Sequence, residues 1–159
     1  MKQKITPFLW FDGQAEEAVN FYVSVFKNAK VNGTTHYGEE GPQPKGKIMT
    51  IHFELNGQEF VALNGGPNFT FTEAISFLVN CETQEEINYY WEKLTADGGQ
   101  EIECGWLKDK YGLCWQIVPA KFREWATAND ASGMERVMRS LMQMKKLNLA
   151  TLQAAFDGE

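Results

Sequence analysis

The sequence predicts an α+β fold of two βαβββ modules followed by C-terminal helices, and three features point to it. An order of strand, helix, strand, strand, strand runs to about residue 68 and restarts, in shortened form, before residue 119. Each half carries one apolar stripe at helical spacing and closes on a hairpin with glycine in its turn. After Pro119 the pattern turns helical. A repeat spanning half the chain matters because a four-stranded unit alone leaves one sheet face uncovered.

In the first half, residues 5–11 form a β-type run, with Pro7 near its start where a missing N–H is tolerated. Asp12-Gly13 breaks it. Over residues 14–26, Ala15, Ala18, Val19, Tyr22, Val25 and Phe26 recur at helical spacing, widened by Phe21. Glu16 and Glu17 in the first turn and Lys27 at the end suit the helix dipole. A strand over 30–37 leads into a polar Gly/Pro loop, 38–46. Strands over 47–55 and 58–63 are joined by Asn56-Gly57, the pair that accepts the two positive φ angles of a tight hairpin. Gly65-Gly66-Pro67 ends the unit.

The second half begins with a strand over 74–81. Thr83 and Glu86 make a capping box, and Ile87, Tyr90, Trp91 and Leu94 form the apolar face of a helix closed by Gly98-Gly99. Strands over 100–107 and 112–118 are connected through Lys108, Asp109, Lys110 and Gly112, charges that resist burial beside a glycine free to take positive φ. Beyond this turn, Leu113, Trp115 and Ile117 point to one face, and Cys114, Gln116 and Val118 to the other. Gln116 is a polar group in mid-strand, so it needs a partner or a cavity that supplies one. Helices over 121–128, 133–145 and 147–156 follow; the Met134, Met138, Met142 and Met144 stripe is read as packing against the sheets or a partner subunit.

Composition excludes several function classes. A net charge of -6 offers no basic stripe for nucleic acid. No stretch approaches the 18 apolar residues of a membrane span. Cys81, Cys104 and Cys114 form no CxxC and leave an odd one out, which favours reduced thiols over a structural zinc or a disulfide framework. The N-terminus has Lys2 and Lys4, but its apolar run ends at Asp12, too short for a secretory signal. The expectation is a cytoplasmic protein with no nucleic-acid or membrane partner. It forms one structural domain, with modules at 1–68 and 69–119 and a helical extension at 120–159.

Several segments together carry a family resemblance. They are Pro-Phe-Leu-Trp-Phe from Pro7, Ala-Glu-Glu-Ala-Val-Asn-Phe-Tyr from Ala15 and Phe-Val-Ala-Leu-Asn-Gly-Gly-Pro from Phe60. Ser-Phe from Ser76, Cys-Gly-Trp-Leu-Lys-Asp-Lys from Cys104, Trp-Gln-Ile-Val-Pro from Trp115 and Met-Lys-Lys from Met144 complete the set. In this order they resemble the PhnB-like (3-demethylubiquinone 3-methyltransferase-like) branch of the vicinal-oxygen-chelate superfamily, which includes glyoxalase, ring-cleaving dioxygenases and bleomycin-resistance proteins. The resemblance implies curled mixed sheets around a cavity and a homodimer. In metal-using members it implies a divalent ion held near the first and last strands of each module. Carried over, those positions fall on Gln116 and near Ala62, Pro7 and Ser76, of which Gln116 is the plausible ligand.

The resemblance therefore implies a small-molecule binder without the usual metal site, no cofactor being predicted. Its expected wall is Phe8, Trp10, Asn64, Ser76, Trp106, Trp115 and Gln116, aromatic area with a few orienting polar groups. The alternative places Trp10, Trp106 and Trp115 in the core and bonds Gln116 to neighbouring backbone. A second functional reading is a divalent-metal-dependent lyase, isomerase or dioxygenase acting on a small oxygenated substrate, with His52, Glu54 and Gln116 as weak candidate ligands. Methyl transfer from S-adenosylmethionine is not expected, since neither Gly65-Gly66 nor Gly98-Gly99 opens a helix onto a nucleotide.

Overall fold

The computed structural model describes residues 4–159; Lys2, part of the N-terminal reading, lies outside the described residues. The chain divides into two compact units, Met1–Thr70 and Phe71–Glu159.

The first unit runs β1 (Phe8–Phe11), α1 (Ala15–Val25), β2 (Ala29–His36), β3 (Ile48–Leu55) and β4 (Gln58–Asn64). Its sheet order is β1-β4-β3-β2, with β1 and β4 parallel and the other pairs antiparallel. Asn56 and Gly57 both take positive φ, 47° and 83°, as the hairpin joining β3 and β4 requires. The helical stripe of α1 buries Ala15, Ala18, Val19, Tyr22 and Val25. Against it lie Leu9, Ile51, Phe53, Phe60 and Ala62, and the Tyr22, Phe53 and Phe60 rings stack in series. Alternation along the strands leaves Phe8, Trp10, Thr50, His52, Val61 and Leu63 on the other face of the sheet.

The second unit runs β5 (Phe77–Cys81), α2 (Gln84–Thr95), β6 (Gln100–Glu101), β7 (Trp106–Lys108) and β8 (Cys114–Pro119), then α3 (Lys121–Thr127), α4 (Ala131–Leu141) and α5 (Leu149–Asp157). Its sheet repeats the pattern of the first, in the order β5-β8-β7-β6 with β5 and β8 parallel. Thr83 Oγ1 accepts the Glu86 N–H at 3.2 Å, and the Glu86 carboxylate reaches back to the Glu82 N–H at 2.8 Å, a capping box shifted by one residue. Ile87, Tyr90, Trp91 and Leu94 of α2 are buried over Val79, Leu107, Trp115 and Ile117.

Three local expectations are corrected. The strand expected over 100–107 is broken into β6 and β7, because Cys104 and Gly105 take positive φ and give their N–H groups to the carbonyls of Met144 and Lys145. For the same reason α4 stops at Leu141 rather than Lys145: the chain leaves the helix to supply those carbonyls. Asp109, expected in an exposed turn, is only 2% accessible. It can be buried because Oδ1 accepts the N–H groups of Tyr111 and Leu113 at 2.9 and 3.1 Å, and Oδ2 accepts the Trp115 indole N–H at 2.9 Å. The C-terminal helices build their own core, in which Val118 of β8 joins Trp125, Val137, Leu141, Leu147 and Leu152. No helix among the described residues is long and apolar enough to cross a membrane.

Candidate functional site

The sheet of the second unit has one face covered by α2 and one that is partly open. Register fixes what stands on the open face: Leu78, Gln116 and Trp106 lie side by side across β5, β8 and β7. Leu78 is half exposed, and Trp106 and Gln116 are half-buried. Gln116 donates through Nε2 to Ser76 Oγ at 2.8 Å, just before β5 begins. Its mid-strand amide thus has a side-chain partner, and the carbonyl end of the amide adds an acceptor to an otherwise apolar strip. Ser76 stands outside the strand expected for 74–81, which starts only at Phe77.

One pair further along the same face, Lys108 is opposite Cys114, and the Lys108 ammonium is ion-paired with Glu73. This pairing holds the Glu73 carboxyl below its ordinary range and the Lys108 ammonium above its own. Neither residue was among the expected wall. Alternation from Trp106 places Lys108 on this face and was readable from sequence, whereas the position of Glu73 depends on an irregular segment. In the other direction Val118 is buried under the C-terminal helices, which close that end of the strip.

The remaining expected wall residues separate. Trp115 faces the opposite way from Gln116, is 3% accessible, bonds Asp109 and packs 5.7 Å from the Phe77 ring. Adjacent residues on a strand cannot line one face, so Trp115 is a core residue of the α2 side. Phe8 and Trp10 share the open face of the first unit; Phe8 is 59% exposed. The Trp10 indole N–H donates to Gly66 O at 2.7 Å, and its ring meets Phe69 edge-on at 5.0 Å. Asn64 is on the helix side of β4. Its Oδ1 accepts the Ala15 N–H at 2.9 Å at the start of α1, and its Nδ2 donates to Ile48 O at 3.1 Å. It backs a polar cleft of about 640 Å³ lined also by Asp12, Glu16, Tyr37 and Lys47.

The positions that the resemblance assigns to a metal are poor in donors. Neither Ala62 nor Pro7 carries a donor, Gln116 is bonded to Ser76, and Glu54 pairs with Lys30 at 3.6 Å beside an exposed His52. Among the described residues no three His, Cys, Asp or Glu side chains form a group able to hold an ion. Burial pushes the Cys81 thiol up to about 12, helped by Glu86 and Glu82, and burial likewise raises Cys114 against the pull of Lys108. Burial thus favours the protonated thiol over the reactive thiolate at both cysteines.

The sequence model of the 3-demethylubiquinone-9 3-methyltransferase family matches residues 3–118. The chain belongs to this family. A PhnB protein from Bacillus cereus is similar to it at 44% identity over 74% of this chain and 100% of that one, with a TM-score of 0.67. Protein PA1353 from Pseudomonas aeruginosa (20% identity, 73% and 96% covered, TM-score 0.60) shares the fold. So does the fosfomycin resistance protein FosX from Listeria monocytogenes (16%, 74% and 92%, TM-score 0.50). No curated protein matches the chain. The two four-stranded sheets, each with one parallel and otherwise antiparallel pairs, have the paired-module pattern expected from the resemblance to the vicinal-oxygen-chelate fold. Helices α3–α5 lie beyond the stretch matched by the family.

Proposed function

We propose that the chain is a small-molecule-binding protein that works without the superfamily's metal ion, its ligand resting on the strip of Leu78, Gln116 and Trp106. The observation that supports this most is Gln116: a mid-strand amide beside apolar and aromatic surface, the makeup of an orienting group in a ligand site. The donor-poor positions Ala62 and Pro7 support the metal-free part. The ligand binds through its apolar part on Leu78 and Trp106, and a polar atom of it meets the Gln116 amide.

In this reading methyl transfer is not the activity, despite the family's name. The strand-to-helix junctions, 12–14, 82–83 and 120, offer a single glycine among them, where a nucleotide-type cofactor needs close backbone approach at a helix start. The protein is cytoplasmic and a homodimer, and Met138 of α4 and Met142 just past its end, both exposed, supply part of the dimer contact.

The deciding measurement is the metal content of protein purified without chelator, in the wild type and in Gln116→Ala. Sub-stoichiometric metal in both is expected. Stoichiometric Ni, Fe, Mn or Zn lost on Gln116→Ala overturns the proposal. A monomer in analytical ultracentrifugation at micromolar concentration would remove the dimer from it.

A further inference from the structure

Two polar groups in the middle of the open face of the second unit, Lys108 and Gln116, are occupied by one short segment. Glu73 takes Lys108, and three residues later Ser76 takes the Gln116 amide. The segment has no helix or strand from 65 to 76. Its Glu73 side chain is 59% exposed, whereas the Lys108 side chain is 25% exposed. The lysine, opposite Cys114 in the strand pairing, is thus the more enclosed partner, and the carboxylate is the one more open to solvent. An ion pair with one solvent-exposed member gains little net energy, so another anion can replace that member at small cost.

The charge pattern gives the exchange a direction. The chain carries a net charge of -6, and the strand residues around Lys108 on this face, Gln100, Trp106, Cys114, Gln116 and Leu78, are all uncharged. An ammonium on an apolar strip of an acidic protein selects an anion. Two residues along a strand, roughly 6–7 Å, separate the row of Lys108 from the row of Gln116.

We propose that Lys108 is the anion-binding residue of this face, and that Glu73 and Ser76 hold the places of a ligand's carboxylate, phosphate or phosphonate and of its second polar atom until the ligand displaces them. The ligand class is a small molecule with one anionic group, a polar oxygen about two strand residues away, and an apolar portion that lies on Leu78 and Trp106. This inference rests on the small-molecule reading above and names the chemistry of the same site.

Three probes test it: 4-hydroxybenzoate, phenylphosphonate and the neutral 4-hydroxybenzamide. Each is titrated at fixed ionic strength into the full chain while the Trp106 indole and Gln116 amide signals are followed by NMR. Glu73→Gln removes the competing carboxylate and keeps the shape, so the anions should bind about tenfold more tightly. Lys108→Gln should weaken the anions by about tenfold and leave the neutral probe unchanged. Unchanged thermal melts check that both exposed-side substitutions fold. Comparing the two anions tells carboxylate from phosphonate ligands. Anion affinity that is unmoved by Lys108→Gln, or unimproved by Glu73→Gln, overturns the assignment. If the neutral probe shifts Gln116 as strongly as the anions do, Lys108 loses its role while the small-molecule reading stands. If no probe perturbs either signal, both fail.

Discussion

Replacing Asp109 by alanine should be among the most damaging single changes in the second unit. The carboxylate accepts three hydrogen bonds, two from the backbone of its own hairpin and one from the Trp115 indole in the core. A bond to a charged acceptor contributes about 1.5–3 kcal/mol, and a buried donor left without a partner costs about 1–3 kcal/mol. The three share one group and do not add, so the expected loss is about 3–5 kcal/mol, as when one member of a buried charged set is removed. For a chain of this size that lowers Tm by roughly 6–20 °C. Asp109→Asn separates charge from shape. Whichever way the amide turns, its NH2 meets a donor, so about 2 kcal/mol should still be lost. Trp115→Phe in the Asp109→Asn background removes the indole N–H and should recover part of that loss, which a double-mutant cycle by urea unfolding would measure. An Asp109→Ala protein within 1 kcal/mol of wild type would refute the reasoning.

Other outcomes follow from single observations. A Cβ at Gly65 would come within 2.4 Å of the Trp10 ring, so Gly65→Ala should displace the indole from Gly66 O and destabilise the first unit by about 1–3 kcal/mol in urea titrations. Asn64→Ala should cost about 2 kcal/mol, one bond at the start of α1 and one to β3, read by thermal melting. At pH 8 iodoacetamide should label Cys104 and leave native Cys81 unmodified, since a thiol raised to about 12 is ionised to only about one part in ten thousand. Because the folded value lies above the unfolded one, stability from burying Cys81 is complete below the unfolded pKa and is lost as pH climbs toward about 12. Calorimetry should detect no binding of S-adenosylmethionine.

The paired modules were legible because their signals are local. Asn56-Gly57 has the two positive φ angles that only such a turn uses, and the stripes of α1 and α2 bury the residues their spacing selects. What escaped was set by particular hydrogen-bond partners that periodicity does not reveal. Asp109 looked exposed because a charged residue in a turn ordinarily is, and only Trp115 and two folded-back N–H groups make its burial tolerable. The expected site mixed residues from opposite faces: Trp115 and Gln116 are neighbours, and alternation already forbids them one wall. Asn64 was chosen for its polarity, and that polarity caps α1. Glu73 could not be found by periodicity because its segment has none.

The carbonyls of Met144 and Lys145 also bear on where this chain can be divided. They satisfy the N–H groups of Cys104 and Gly105, while Leu147 and Leu152 help bury Val118. The boundary of the family match at residue 118 is therefore not a physical boundary. A chain cut there would leave those two donors without their partners and bare the apolar face of Val118. The helical tail supplies both the acceptors and the apolar cover, and the second sheet depends on it for each.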